Sequence, residues 1–250
     1  MKIRHLRHAT FHLHMHGLTL LVDPVLSPAD GMTPIDNSPN QRRNPLVELP
    51  VSVQEVMKAE GCLVTHMHRD HFDSVAGELL PKVMTMFCQP EDMDKLQKLG
   101  FLDVQSVNLT AAWRDIVITR TGGQHGTGEI GQKMAPVSGY VLKVASEPSV
   151  YIAGDTIWCP EVAEALTLHK PEVVVLNGGA ARFNHGDPIT MGLQDIFQVC
   201  SHAPTAKVVV VHMEAINHCL LTRSDLRTYL YQEGLDNRVI VPADGEWLEF

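Results

Sequence analysis

The sequence predicts an α/β (α+β) fold, one domain over residues 1–250 built as two packed sheets with helices on the outside. Three observations carry that expectation. Short apolar, β-branched runs bounded by Gly, Pro, Asn or Asp recur along the whole chain. Each half opens mainly on strands and goes over to alternating strands and helices. No stretch of linker-like composition separates the halves.

Residues 3–6, 10–16 and 18–22 read as an opening antiparallel meander, with Gly17 turning the second pair and Asp23-Pro24 ending the run. Residues 27–50 are rich in Pro, Asn, Gly and Asp and lack either periodicity, so they read as a long loop. A short helix at 53–59 and a buried strand at 62–65 follow. Asp73 has the chemistry to cap a helix at 74–80. Next come a strand at 83–87, a helix at 91–99 closed by Gly100, and strands at 104–108 and 116–120. The second half gives strands at 138–144 and 150–153, a helix at 160–168 and a strand at 173–176. A helix at 190–200, a strand at 207–211, a helix at 223–231 and one or two strands within 239–250 complete it.

A chain of 250 residues with 44% hydrophobic content buries a full core. Its net charge of -9, from 20 Lys+Arg against 29 Asp+Glu, offers no broad basic surface to a nucleic-acid backbone. No apolar run approaches a bilayer span and the start lacks a long apolar h-region, so the sequence predicts a cytoplasmic protein with neither nucleic-acid nor membrane partners. Cys62, Cys88, Cys159, Cys200 and Cys219 are odd in number and widely spaced without a CxxC pair. They read as reduced, mostly buried thiols.

Fourteen histidines are the unusual entry in the composition. The densest group is Thr65-His66-Met67-His68-Arg69-Asp70-His71. Leaving a strand, His66 and His68 point the same way and can share a cation, whereas Asp70 and His71 follow the turn and aim elsewhere. Four ligand-type side chains in six residues exceed what one open catalytic site takes from one segment, so a second cation beside the first is expected. Three more candidates stand just past strands: His125 in a glycine-rich turn, Asp155 in Gly154-Asp155-Thr156, and His212 after 208–211.

This order, His-x-His-x-Asp-His and then His, Asp and His, resembles the metallo-β-lactamase superfamily over nearly the whole chain. His8-Ala9-Thr10 and Leu21-Val22-Asp23-Pro24 are similar to the branch containing L-ascorbate 6-phosphate lactonase and related phosphodiesterases. The resemblance implies a four-layer αββα sandwich. It also implies that His66, His68 and His125 hold one metal, that Asp70, His71 and His212 hold a second, and that Asp155 bridges them. Two such ions, zinc by the donor set with manganese or iron also fitting, would share an activated hydroxide. Asp70 and Asp155 would be the catalytic carboxylates, orienting that nucleophile and serving the leaving group. His218 competes with His212 for the last ligand position and otherwise faces substrate.

Other features read more than one way. His12, His14 and His16 alternate with Phe11, Leu13 and Met15 and are assigned to a polar outer face. His8 either neighbours the site or makes a structural hydrogen bond. Asp23 either orients a ligating histidine or ends a strand. Arg42 and Arg43 either clamp an anionic substrate group or form a solvated pair. Arg182 and His185, beside Asn184, fall in a loop that should open on the same rim, with turn chemistry as the alternative. Asn177-Gly178-Gly179 is too short for a phosphate cradle. Trp113, Trp158 and Trp247 read as packing residues, Trp158 with the option of walling the pocket.

The function expected is hydrolysis of an ester, lactone or phosphodiester of a small molecule, anionic ones included, by a dinuclear hydrolase. A metal-stabilised sensing protein on the same fold is the non-enzymatic alternative. A di-iron oxidoreductase or a nuclease is a weaker one. The partner expected is a small-molecule substrate, and a homo-oligomer is left open.

Overall fold

The computed structural model describes residues 1–250 and arranges them as two seven-stranded sheets. The first half contributes β1 (Lys2–Arg7), β2 (Thr10–Met15), β3 (Leu18–Val22), α1 (Val53–Val56), β4 (Gly61–Val64), α2 (Ser74–Leu79), β5 (Thr85–Cys88), α3 (Met93–Lys98) and β6 (Asp103–Ser106). The rest contributes β7 (Thr110–Trp113), β8 (Ile116–Thr121), α4 (Gly128–Met134), β9 (Gly139–Lys143), β10 (Val150–Ile152), α5 (Pro160–His169) and β11 (Val173–Asn177). It ends with α6 (Leu193–His202), β12 (Lys207–Val211), α7 (Arg223–Gln232), β13 (Val239–Ile240) and β14 (Trp247–Glu249).

One sheet runs β14-β1-β2-β3-β4-β5-β6 and the other β13-β12-β11-β10-β9-β8-β7. The opening meander is antiparallel with Phe11 opposite Val22, and β3 to β6 are parallel, as strands joined through helices must be. The chain end returns to the first sheet, where Leu248 stands opposite Ile3. β10 to β13 are likewise parallel.

Side-chain alternation turns these sheets into four layers. Ile3, Phe11, Leu13, Leu20 and Leu63 from one sheet meet Ile118, Leu142, Ile152, Val175 and Val209 from the other in a common core. The opposite face of the first sheet, with Leu21, Cys62, Val64 and Met86, packs against Val56, Ala76 and Leu96 of α1, α2 and α3. The opposite face of the second, with Val174, Leu176, Val208 and Val210, packs against Leu166, Ile196 and Leu226 of α5, α6 and α7. A strand buried on both faces has no polar side, which is why 173–176 and 208–211 read as unbroken apolar runs. The architecture is the αββα sandwich that the sequence predicts.

Several local expectations are corrected. The helix at 53–59 is a single turn capped by Ser52, with Met57 already its C-cap. The helix at 190–200 starts only at Leu193, because the Thr190 hydroxyl accepts from the Ala181 N–H and the Gly192 N–H is taken by the Asp195 carboxylate. β7 and α4 are additional elements, α4 being short, glycine-containing and without a buried residue. His12 is not on an open polar face: α1 covers it, and its Nε2–H donates to the Val56 carbonyl at 2.7 Å. Trp247 is half exposed, beside His14 and under the Arg4 guanidinium. All five cysteines are free and buried.

Candidate metal centre

The strand ends deliver the functional side chains to one edge of the sandwich. His66, His68, Asp70 and His71 follow β4, His125 follows β8, Asp155 follows β10 and His212 follows β12. Backbone detail makes the approach feasible. Gly154 holds φ +69° directly before Asp155, and a Cβ there would lie 2.6 Å from the Ser138 carbonyl. Gly179 passes the His212 carbonyl so closely that any side chain would collide with it.

Three groups of donor atoms result, each within 4.8 Å mutually: His66, His68 and His125; His66, His71 and Asp155; and His8, Asp70, His71 and His212. Asp155 stands between the others. Its Oδ2 lies 3.2 Å from His71 Nε2, 3.4 Å from His125 Nε2 and 4.0 Å from His66 Nε2, while Oδ1 lies 3.3 Å from His212 Nε2. All seven residues named above as ligands therefore converge. His218 is nearby and buried but belongs to none of the three groups.

The ring orientations are fixed from behind. His71 Nδ1–H donates to Asp23 Oδ2 at 2.8 Å, and Asp23 also accepts from the Thr65 N–H at 2.7 Å and the Thr65 hydroxyl at 2.8 Å. His125 Nδ1–H donates to the Ile189 carbonyl at 2.8 Å. His212 Nδ1 faces Cys219 Sγ at 3.4 Å. Each contact leaves the Nε2 of His71, His125 and His212 turned inwards. Asn177 Nδ2 donates to Asp155 Oδ1 at 2.8 Å. Of these supports, the sequence offers a hint only for Asp23. Asn177 reads as turn, and the Ile189 carbonyl has no side-chain signature.

The electrostatics suit a cation. Burial disfavours a charged Asp155, yet His212 and His71 hold its carboxyl well below the usual carboxylate range. Asp70 is likewise held well below it against burial, by His8 and His71. Burial pushes the imidazoles of His66 and His212 well below their ordinary value and lowers that of His68. His71 goes the other way: burial opposes its charge, but Asp155 and Asp23 raise it well above the ordinary value. Ionised carboxylates and neutral imidazoles are the states in which these groups ligate metals. Within 4 Å, the ionisable partners of Asp70 and Asp155 are all histidines, with no Lys or Arg. The set fits divalent ions of the zinc, manganese or iron type.

A cavity of about 200 Å³ opens onto this edge, lined by Ile35, His68, Arg69, Asp70, His125, Met134, Phe183 and His218. The loop at 27–50 supplies Ile35 and is firmly held. Asn44 and Asn217 exchange reciprocal bonds of 2.8 Å, and Asn217 also accepts from the Ile35 N–H and donates to the Ser38 hydroxyl. Arg69 donates to the Thr33 hydroxyl and the Pro34 carbonyl. Arg42, Arg43, Arg182 and His185 are all exposed and none of them lines the cavity. Arg43 donates to the Asp30 carbonyl and Arg182 to that of Gly186. His185 borders a neighbouring hollow that shares Phe183. Trp158 packs against the outer core of the second sheet, near His202.

Histidines and aspartates gathered at one edge of an αββα sandwich mark a metal-dependent class of protein. Residues 19–213 match the Beta-lactamase superfamily domain, and the chain belongs to that superfamily and, within it, to the UPF0173 metal-dependent hydrolases. It is 36% identical to the UPF0173 protein YddR of Bacillus subtilis, over 100% of both chains. Among solved structures it is similar to an isothiocyanate hydrolase from Delia radicum gut bacteria, with 36% identity, TM-score 0.96, and 100% and 99% of the two chains covered. It is also similar to a possible metal-dependent hydrolase from Veillonella parvula, with 33% identity, TM-score 0.97 and the same coverage. No helix is long and apolar enough to cross a membrane.

Proposed function

We propose that this chain is a dinuclear hydrolase of small, uncharged electrophiles that carry an apolar substituent. His66, His68 and His125 would hold one ion, Asp70, His71 and His212 the other, and Asp155 would be shared. The observation that carries the reading is the position of the Asp155 carboxylate, within 4.0 Å of histidines from both groups. When bound, two divalent ions supply an activated water at neutral pH and polarise the scissile group. Zinc is the ion favoured by imidazole and carboxylate donors, with manganese and iron as alternatives.

The chain's own residues set geometry and polarity. Asp155, fixed by Asn177, and Asp70 stay ionised and can accept a proton or a hydrogen bond from the attacking water. Burial lowers the pKa of His218, so a neutral imidazole stands in the cavity wall within reach of a leaving group. Ile35, Met134 and Phe183 provide an apolar wall that excludes water and holds a hydrocarbon substituent. The only Arg or Lys on the lining, Arg69, already donates to Thr33 and Pro34. Such a wall favours the hydrocarbon group of an ester, a lactone or an isothiocyanate over the charged phosphate of a phosphodiester. The similar isothiocyanate hydrolase points the same way. Adding water to an isothiocyanate carbon and breaking its bond to nitrogen yields an amine and carbonyl sulfide.

The test is a panel of benzyl isothiocyanate, a nitrophenyl ester, a lactone and a nitrophenyl phosphodiester presented to zinc-loaded protein. One of the three neutral substrates should exceed the phosphodiester in kcat/KM by at least about tenfold, a difference of ~1.4 kcal/mol in transition-state binding. Preference for the phosphodiester would overturn the substrate class. Two bound metals without turnover of any substrate would favour a sensing role.

A further inference from the structure

His8 is left over by the seven-ligand account. It occupies the turn between β1 and β2, is 1% exposed, and neither ring nitrogen has a hydrogen-bond partner. A buried imidazole without partners forfeits the full desolvation cost of its polar atoms, so such a group calls for an explanation. The backbone is also constrained. His8 holds φ 59°, a left-handed conformation that a residue with a side chain adopts at a cost. Its carbonyl is clamped by the His212 N–H at 3.0 Å and by His5 Nε2 at 3.1 Å. The fold thus spends backbone strain to aim this ring, and the ring lies over His212 with centroids 3.6 Å apart.

The distances say what it is aimed at. His8 Nε2 is 3.6 Å from Asp70 Oδ2, too long for a hydrogen bond. Two donors sharing an ion at bond lengths of ~2.0–2.1 Å stand about 2.8–3.4 Å apart at right or tetrahedral angles. Two other pairs of that group are spaced alike, with His71 Nε2 3.2 Å from His212 Nε2 and His212 Nε2 3.8 Å from Asp70 Oδ2, so Asp70 needs to approach His8 and His212 by only a few tenths of an ångström for all of them to share an ion.

We propose that His8 is an additional ligand of the metal held by Asp70, His71 and His212. The inference rests on the dinuclear reading above. It makes this second position richer in donors than the one formed by His66, His68 and His125, and so the tighter of the two.

Metal binding to the purified full-length chain tests it without reference to activity. His8→Asn is the variant of choice, since asparagine tolerates the left-handed backbone and is too short to ligate. His8→Gly removes the backbone strain altogether. Zinc competition with a chromophoric chelator should show one of the two binding constants weakened at least tenfold and the other unchanged. The visible spectrum of the cobalt-loaded variants should shift. Unchanged constants and spectrum would overturn the proposal. Wild-type protein loaded with cadmium-113 and labelled with nitrogen-15 histidine gives an answer that does not depend on a variant folding. His8, His66, His68, His71, His125 and His212 should all show coupling to cadmium, and absence of the His8 coupling alone would refute the ligand assignment. Wild-type protein that binds fewer than two ions would instead refute the dinuclear reading.

Discussion

Asp23→Asn changes one atom and reverses a hydrogen bond at the heart of the site. The Asp23 carboxylate accepts from the Thr65 N–H, the Thr65 hydroxyl and His71 Nδ1–H at 2.7, 2.8 and 2.8 Å. An asparagine can keep the first with its oxygen but must then present an NH2 donor to His71. The imidazole responds by carrying its proton on Nε2, the nitrogen that faces Asp155 and His212, and a protonated Nε2 cannot ligate. Loss of such an orienting partner typically weakens metal affinity 10–100-fold, or about 1.4–2.8 kcal/mol. Chelator competition on wild type and Asp23→Asn should show that loss at one ion only, because His66, His68 and His125 do not touch Asp23. Asp23→Glu serves as a packing control, which perturbs the position but keeps an acceptor. Equal affinities in wild type and Asp23→Asn would refute the tautomer argument and the ligand role of His71.

Three other outcomes are expected. Asn217→Ala strips the Asn44 amide and the Ser38 hydroxyl of a buried partner and should cost about 2–4 kcal/mol in urea unfolding, with the 35–44 loop more readily cleaved by protease. An unchanged unfolding midpoint would show that the loop is held by other means. Burial under α1 lowers the pKa of His12, opposed by its Val56 hydrogen bond and aided by the nearby His14 and Arg4. Between the ordinary histidine pKa of about 6.5 and that lowered value the unfolded chain binds a proton the folded chain refuses, so this contribution to stability is full above about pH 6.5 and falls as pH drops. His12→Gln, which keeps a neutral donor, should lose less unfolding free energy than wild type between about pH 7 and pH 5, and parallel pH curves would contradict the assignment. Combined replacement of Arg42, Arg43 and Arg182 by alanine should leave kcat/KM on the neutral substrate within about twofold, since none lines the cavity; a tenfold loss would mean that the exposed arginines bind substrate.

Much of the candidate site is legible in the sequence because its proposed ligands obey one local rule. Each stands just past a strand, and except for the half-exposed Ile116–Thr121 before His125 these strands are apolar runs visible without a structure, Gly61–Val64, Val150–Ile152 and Lys207–Val211. The supports are illegible for the same reason. Asn177 is the last residue of β11, where the sequence reads a turn, and only the parallel register of β10 with β11 brings it to Asp155. His8 shows its purpose only where the two sheets converge and deprive it of partners. The arginines of the long loop have the chemistry for anion binding. Their exposure is decided by Asn44 meeting Asn217, 173 residues away in sequence, which no local pattern encodes. The short elements β7 and α4 carry too little periodicity to be read, whereas the doubly covered strands that form the core do not depend on such detail.

A pair of ions sharing Asp155 requires a stoichiometry of two metals per chain. Wild-type protein reconstituted with zinc and freed of excess by gel filtration should hold two ions per chain by elemental mass spectrometry. Asp155→Ala should lose affinity for both, since its carboxylate faces His66, His71, His125 and His212 together. Two tightly held ions in Asp155→Ala, or a single ion in the wild type whatever the zinc supplied, would contradict the account.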